Sequence, residues 1–308
     1  MRQALSGLSF EREFDYQHGR IDQVSPLIAR VICDNPGPFT FTGTGTYIVG
    51  TNEVAVIDPG PDNAAHLDAL IKALEGKTVS HILITHTHMD HSPLAEQLKD
   101  ITGAKTYAYG GHGAGKERAI KSGTAQLDAS GDMDFTPDIY LTHGDMMEGK
   151  DWTLESVFTP GHTSNHMAFS LAQENALFSG DHVMAWSTSV IAPPDGNMSD
   201  YFASLDLLLE RDEQIYWPTH GPAKNKPRDF VRAFLTHRKM REEAILRRIK
   251  KGDRTIAEVV QAVYADVDPR LHGAAALSTF AHIEHLLERG KIKSEDDTPS
   301  LESVYLPI

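Results

Sequence analysis

Thr85-His86-Thr87-His88-Met89-Asp90-His91-Ser92-Pro93 is the stretch that decides how this chain is read. It follows an apolar, β-branched run, Val79 to Thr85, that reads as a strand. Ser92 as N-cap and Pro93 at the first helical position predict a helix to about Ile101, closed by Gly103. His86, His88, Asp90 and His91 therefore sit in one loop between strand and helix. In such a turn two alternate positions can face one metal ion while the next acid and histidine face another. Two ions roughly 3.5–4 Å apart form the clamp used in hydrolysis.

Working outward, three more candidate ligands stand in similar settings: His162 in Pro160-Gly-His-Thr, Asp181 in Ser179-Gly-Asp-His, and His220 in Pro218-Thr-His-Gly. Each follows an apolar run and touches a glycine, as expected where strand ends gather at one edge of a sheet. The predicted strands here are Trp152 to Phe158, Met167 to Leu171 and Ala176 to Phe178. Upstream, the text from Phe39 and from Glu53 to Asp58 reads as two strands joined at Gly50-Thr51-Asn52. Asp62 is expected to cap a helix bearing Leu67, Leu70, Ile71 and Leu74, with Gly76 past its end. Gly110 to Glu148 reads as an irregular insertion, with a strand near Ile139 to Leu141, placed to wall a site.

Beyond Pro227 the pattern becomes helical. Phe230 to Lys251 forms one helix with Phe230, Phe234, Ile245 and Ile249 inward. Thr255 with Glu258 makes a capping box that opens a second helix, and Ala274 to Arg289 is a third. Lys291 to Pro307 reads as strand, turn and strand. Helix, helix, helix, hairpin is a winged-helix order, so the chain divides into residues 1–226 and 227–308.

The 308 residues, 40% of them hydrophobic, suffice for one large core and a smaller satellite. A formal charge of −14, from 29 Lys and Arg against 43 Asp and Glu, excludes a surface that is basic all round. The single cysteine, Cys33, excludes an internal disulfide and a thiolate zinc site, so any metal must sit on histidine and carboxylate. The acids Glu11, Glu13 and Asp15 argue against a targeting leader, and no run is long enough to span a bilayer. A cytoplasmic location away from membranes is expected. The oligomeric state stays open, a homodimer included.

The motif set resembles that of the metallo-beta-lactamase superfamily over about Phe39 to Pro222. The resemblance implies an α/β fold, an αββα sandwich followed here by a small winged-helix domain. It also implies two zinc ions per chain, with manganese or iron as alternatives. On that resemblance His86, His88 and His162 hold the first ion, Asp90, His91 and His220 the second, and Asp181 bridges both. Asp58 in Ile-Asp-Pro-Gly resembles the family's buried support residue. Asn35-Pro-Gly-Pro, Gly180-Asp-His-Val-Met, Trp186-Ser-Thr-Ser and the trailing winged helix are similar to the beta-lactamase-like protein 2 group. That group includes endoribonucleases acting on single-stranded RNA, and related fungal sequences are acyl-carrier thioesterases.

The expected mechanism needs no protein nucleophile: a hydroxide shared by the metals attacks carbon or phosphorus, and Asp90 orients it or takes its proton. His166 is a candidate catalytic donor, against the alternative of a packed support behind the site. Tyr201 reads as core, His182 as facing away, His112 and His143 as solvated. The leading expectation is a phosphodiesterase acting on single-stranded RNA, with Lys226, Arg228, Arg232, Arg238, Lys239, Arg241, Arg247, Arg248, Lys250, Lys251 and Arg254 as its cationic stretch. The alternative is hydrolysis of a small-molecule ester, thioester or lactam in an apolar cleft lined by Met184, Trp186, Ile191, Tyr201 and Phe202. A third reading makes the winged helix a nucleic-acid reader, but Glu284 and Glu288 suit its last helix poorly to phosphate.

Overall fold

The computed structural model describes residues 8–115, 130–268 and 271–308. Its first sheet joins seven strands in chain order: β1 (Ile21–Gln23), β2 (Ile28–Ile32), β3 (Gly45–Val49), β4 (Glu53–Ile57), β5 (Thr78–Leu83), β6 (Lys105–Ala108) and β7 (Ile139–Tyr140). Neighbours are antiparallel up to β4 and parallel beyond it. Parallel pairing requires crossovers, and the helices α1 (Ala64–Ala73) and α2 (Leu94–Thr102) supply those from β4 to β5 and from β5 to β6. The second sheet holds β8 (Met146–Glu148), β9 (Thr153–Phe158), β10 (Met167–Leu171), β11 (Ala176–Gly180), β12 (Ile215–Pro218) and β13 (Lys224–Asn225).

Side-chain alternation decides how these sheets stack. Tyr47, Val49, Ala55 and Ile57 enter a core shared with Leu154, Phe169, Phe178 and Trp217 of the other sheet. The alternate positions Ile48, Val54 and Val56 face Leu70 and Ala73 of α1 and Leu98 of α2. On the far side Val157, Ala168, Leu177 and Tyr216 meet α3 (Met198–Glu210) and α4 (Arg228–Lys251). Helix, sheet, sheet, helix is the expected layering. Among the described residues no helix is long and apolar enough to cross a membrane.

Two expected helix caps are displaced. Asn63, not Asp62, caps α1 by accepting the His66 N–H at 3.1 Å, while Asp62 accepts from Gln97. Ser92 does not cap α2, because its hydroxyl donates to Asp132 at 2.6 Å. The insertion causes this. Its residues 116–129 lie outside the described part, but Ser130 to Asp132 runs beside the motif loop, with Met89 N–H donating to Ser130 and Asp132 N–H to Thr87.

Helix α4 belongs to two cores. Phe230, Val231, Phe234 and Leu235 pack with Tyr201 and Leu205 of α3. Ile245 and Ile249 pack instead with α5 (Ile256–Val263), α6 (His272–Glu288) and the hairpin of β14 (Ile292–Ser294) and β15 (Tyr305–Pro307). The division expected at 226 and 227 thus falls just before a helix shared by both units. The capping box of Thr255 and Glu258 opens α5 as expected. Truncating the fully buried Phe234 to alanine should cost about 3–5 kcal/mol, read as a lowered urea midpoint at unchanged slope.

Candidate metal centre

Five strand ends converge on one place. The end of β4 brings Asp58, the loop after β5 brings His86 to His91, and the β9–β10 turn brings His162. Asp181 follows β11 directly, and His220 follows β12. Asp58 ties three of these together: its carboxylate accepts the Thr85 N–H and hydroxyl, each at 2.7 Å, the Thr219 hydroxyl at 3.0 Å, and His91 Nδ1 at 2.9 Å. Gly180 has φ +52, and a Cβ there would stand 2.5 Å from His166 Nε2, so only glycine lets β11 turn into Asp181.

His86, His88 and His162 form the first cluster. His88 Nδ1 lies 3.0 Å from His86 Nε2 and 3.1 Å from His162 Nε2. The Thr85 hydroxyl gives its proton to Asp58, so it accepts from His86 Nδ1–H at 3.0 Å and leaves Nε2 with a lone pair. His162 Nδ1–H likewise donates to the Val190 carbonyl at 2.5 Å. Burial, reinforced by the neighbouring rings, pushes His86 well below the usual imidazole range and His88 down to about 3. Burial also lowers His162. Neutral lone pairs converging in this way repel one another unless a cation stands among them.

The second cluster adds carboxylates. His220 Nε2 lies 3.1 Å from Asp90 Oδ2 and 3.4 Å from Asp181 Oδ2, and His91 Nε2 lies 3.5 and 3.7 Å from the same two atoms. Asp181 Oδ2 is also 3.8 Å from His162 Nε2, so it reaches both clusters. Burial opposes charge on His91 and His220, yet the carboxylates prevail: Asp90, Asp58 and Asp181 hold His91 high, and Asp181 and Asp90 hold His220 at about 10. Asp90 and Asp181 are held low against their burial by His91 and His220. His91 Nε2, His220 Nε2 and Asp181 Oδ1 are buried without a well-aligned hydrogen bond. Buried polar atoms of that kind are costly, and a divalent cation would satisfy all three. The donor set fits zinc, manganese or iron alike.

Residues 40–220 match the model of the metallo-beta-lactamase superfamily, and residues 255–300 match the beta-lactamase associated winged helix domain. The chain belongs to the metallo-beta-lactamase superfamily. It is 30% identical over 255 residues to a beta-lactamase-like protein 2 homolog of Caenorhabditis elegans, covering 80% of this chain and 79% of that one. It is 27% identical to an atrochrysone carboxyl ACP thioesterase of Aspergillus terreus, over 86% of this chain and 82% of that protein. A beta-lactamase domain protein from Burkholderia ambifaria, 20% identical, has the same fold with a TM-score of 0.75 over 100% of this chain and 99% of its own. Membership makes the chain a hydrolase with a fold that binds divalent metals, and the sets His86/His88/His162, His86/His91/Asp181 and Asp90/His91/His220 are each close enough to hold one.

All seven expected ligands therefore meet. His166 stands behind them, fully buried: Nδ1 faces the Thr159 hydroxyl at 2.9 Å, and Nε2 accepts the Asp181 N–H at 3.2 Å. Both nitrogens are engaged, and neither is open to a substrate. Tyr201 is core as expected, its hydroxyl donating to the His182 carbonyl, and the His182 ring packs against it away from the metal cluster. His112 departs from expectation. Rather than solvated, its side chain is 3% exposed, with Nδ1 3.0 Å from the Thr87 hydroxyl and Nε2 4.0 Å from Asp195, because the insertion folds back over the motif loop. His143 is exposed, as expected. Thr85 opens the motif but its role of orienting the His86 ring, like that of Val190 towards His162, was not legible in the sequence. Changing Asp58 to alanine should weaken divalent-metal retention about ten- to a hundredfold, measured by chelator competition.

Proposed function

We propose that this chain is a two-metal hydrolase acting on the thioester or ester carbonyl of an acyl substrate. His86, His88 and His162 would hold one ion, Asp90, His91 and His220 the other, with Asp181 shared. Bound there, divalent ions supply an activated water and a Lewis acid for the developing oxyanion. Asp90 is the more open carboxylate, its side chain 26% exposed against 9% for Asp181. With ions bound it would take the water's proton, through Oδ1 because Oδ2 is the oxygen paired with His91 and His220. His166 keeps the Asp181 peptide in place.

Exposed apolar side chains on the segments that carry the clusters support this choice of substrate. Met89, Phe39 and Met133 are among the large apolar side chains exposed in the described residues, and each lies on a segment that builds the centre. Met89 separates His88 from Asp90, Phe39 precedes the Gly43 carbonyl that His220 faces, and Met133 follows Asp132, bonded to Thr87. Trp186, half-buried, stacks on Phe41 at 4.8 Å. The other expected cleft residues, Met184, Ile191, Tyr201 and Phe202, are buried in core instead. The similarity to a protein named as an acyl-carrier thioesterase supports the same class.

The RNA reading keeps less support. Arg238 is buried, Arg241 lies over Tyr264, and Arg248 is paired with Asp253. Arg228, Arg232 and Arg247 are in ion-pair reach of Asp212, Asp229 and Glu243. What favours it is the exposure of Lys226, Lys239, Lys250 and Lys251.

The deciding experiment offers metal-loaded protein a panel of acyl thioesters, lactones, a chromogenic lactam and single-stranded RNA. Thioester turnover that varies little with salt is expected. RNA cleavage that falls steeply with salt, with the thioesters untouched, would replace this reading with the second. Separately, Asp181→Ala should abolish the metal pair and hydrolysis together. Two metals and full turnover in that variant would sink the ligand assignment.

A further inference from the structure

We infer that Arg238, on the helix joining the two matched regions, is a positioning residue for His162. Arg238 lies outside both matched stretches, residues 40–220 and 255–300, and reaches into the catalytic unit from α4. It is 4% exposed, and among the described residues no carboxylate comes within ion-pair distance of it. A buried guanidinium without an acid is costly, so its remaining contacts must hold it. Those contacts are specific. Nη2 donates to the Ser189 carbonyl, and the guanidinium carbon lies 5.4 Å from the centre of the Tyr201 ring.

The peptide thus held is next to the one that orients the ligand. Val190, the following residue, accepts His162 Nδ1–H at 2.5 Å, which aims Nε2 at the three-histidine cluster. The same segment is pinned from the other side: the Ser189 and Tyr201 hydroxyls both donate to the His182 carbonyl, at 2.7 and 2.8 Å. With Arg238 removed, the Ser189 carbonyl loses the only donor it has from outside the segment among the described residues, and Val190 is free to tilt. A planar group that donates to the Ser189 carbonyl while lying over the Tyr201 ring is a role lysine fills only in part. Further along α4, Glu242 accepts from His285 Nδ1 at 2.5 Å and from Arg289 at 3.1 Å, so the C-terminal unit in turn fixes the helix that carries Arg238.

This rests on the metal-binding reading, and the test separates the two. Metal content and chelator competition are measured on full-length wild type, Arg238→Met, Arg238→Lys and Arg241→Met, alongside thermal melts. Arg241, which packs on Tyr264 in the C-terminal unit, controls for general loosening of α4. Arg238→Met should hold one of its two ions about ten- to a hundredfold more weakly, Arg238→Lys should fall between it and wild type, and Arg241→Met should bind as wild type does. If Arg238→Met does not fold, Arg238→Lys decides: weaker metal at a wild-type melt supports the role. Wild-type affinity in the Arg238 variants, or an equal loss in Arg241→Met, overturns it. Wild-type protein that takes up no metal overturns the metal reading and this inference with it.

Discussion

One buried carboxylate sets the geometry on which the rest depends. Asp58 sits at the end of β4 in a left-handed conformation, φ +50, that non-glycine residues rarely adopt. Its backbone N–H donates to Leu83 and its carbonyl accepts from Thr46, so the main chain ties β4 to β5 and β3. Its side chain then gathers Thr85, His91 and Thr219, which come from both sheets. The strained backbone is held by one donor on Oδ1 and three on Oδ2. A substitution there leaves several buried donors stranded together, a larger penalty than one lost hydrogen bond.

From that point the proton positions follow. Thr85 is committed as a donor to Asp58 and must accept from His86; His91 gives Nδ1–H to Asp58, while Nδ1 of His162 and His220 faces the carbonyls of Val190 and Gly43. Each ring is left with one nitrogen pointing inward. Gly43 holds φ +124, and a Cβ there would approach the Cys33 carbonyl to 2.1 Å, so the carbonyl facing His220 depends on a glycine. The two clusters differ in charge. Burial and the neighbouring rings lower His86 and His88, and burial lowers His162, whereas Asp90 and Asp181 raise His91 and His220 against their burial.

Much of this was legible because the information is local. A strand ending in His, Asp and Gly carries its ligand wherever the sheet goes, so all seven side chains could be named before the sandwich was seen. The two strands read on either side of Gly50-Thr51-Asn52 and the box of Thr255 and Glu258 are local in the same sense. What failed depended on partners far along the chain. Ser92 has the residue type of a cap, yet Asp132 takes its hydroxyl. His112 looked solvated because nothing beside it announces that the insertion returns to Thr87. Arg238 looked like one cation among eleven, and only the packing of α4 on α3 shows it pointing inward.

The same distinction explains why the substrate is harder to read than the chemistry. A basic stretch is visible as composition, but its meaning lies in what each charge faces. Arg232 and Arg247 have acids three or four residues away, and Arg248 has Asp253, so much of the apparent polycation is neutralised within its own helix and the turn after it. The exposed apolar side chains are the opposite case: Phe39, Met89 and Met133 are scattered over ninety-odd residues and unremarkable singly. They belong together only because the segments that bear them also bear, or clasp, the ligands. On the proposed reading, specificity would rest on the loops around the two clusters, and a change in one of those loops would alter what is hydrolysed without touching a cluster residue.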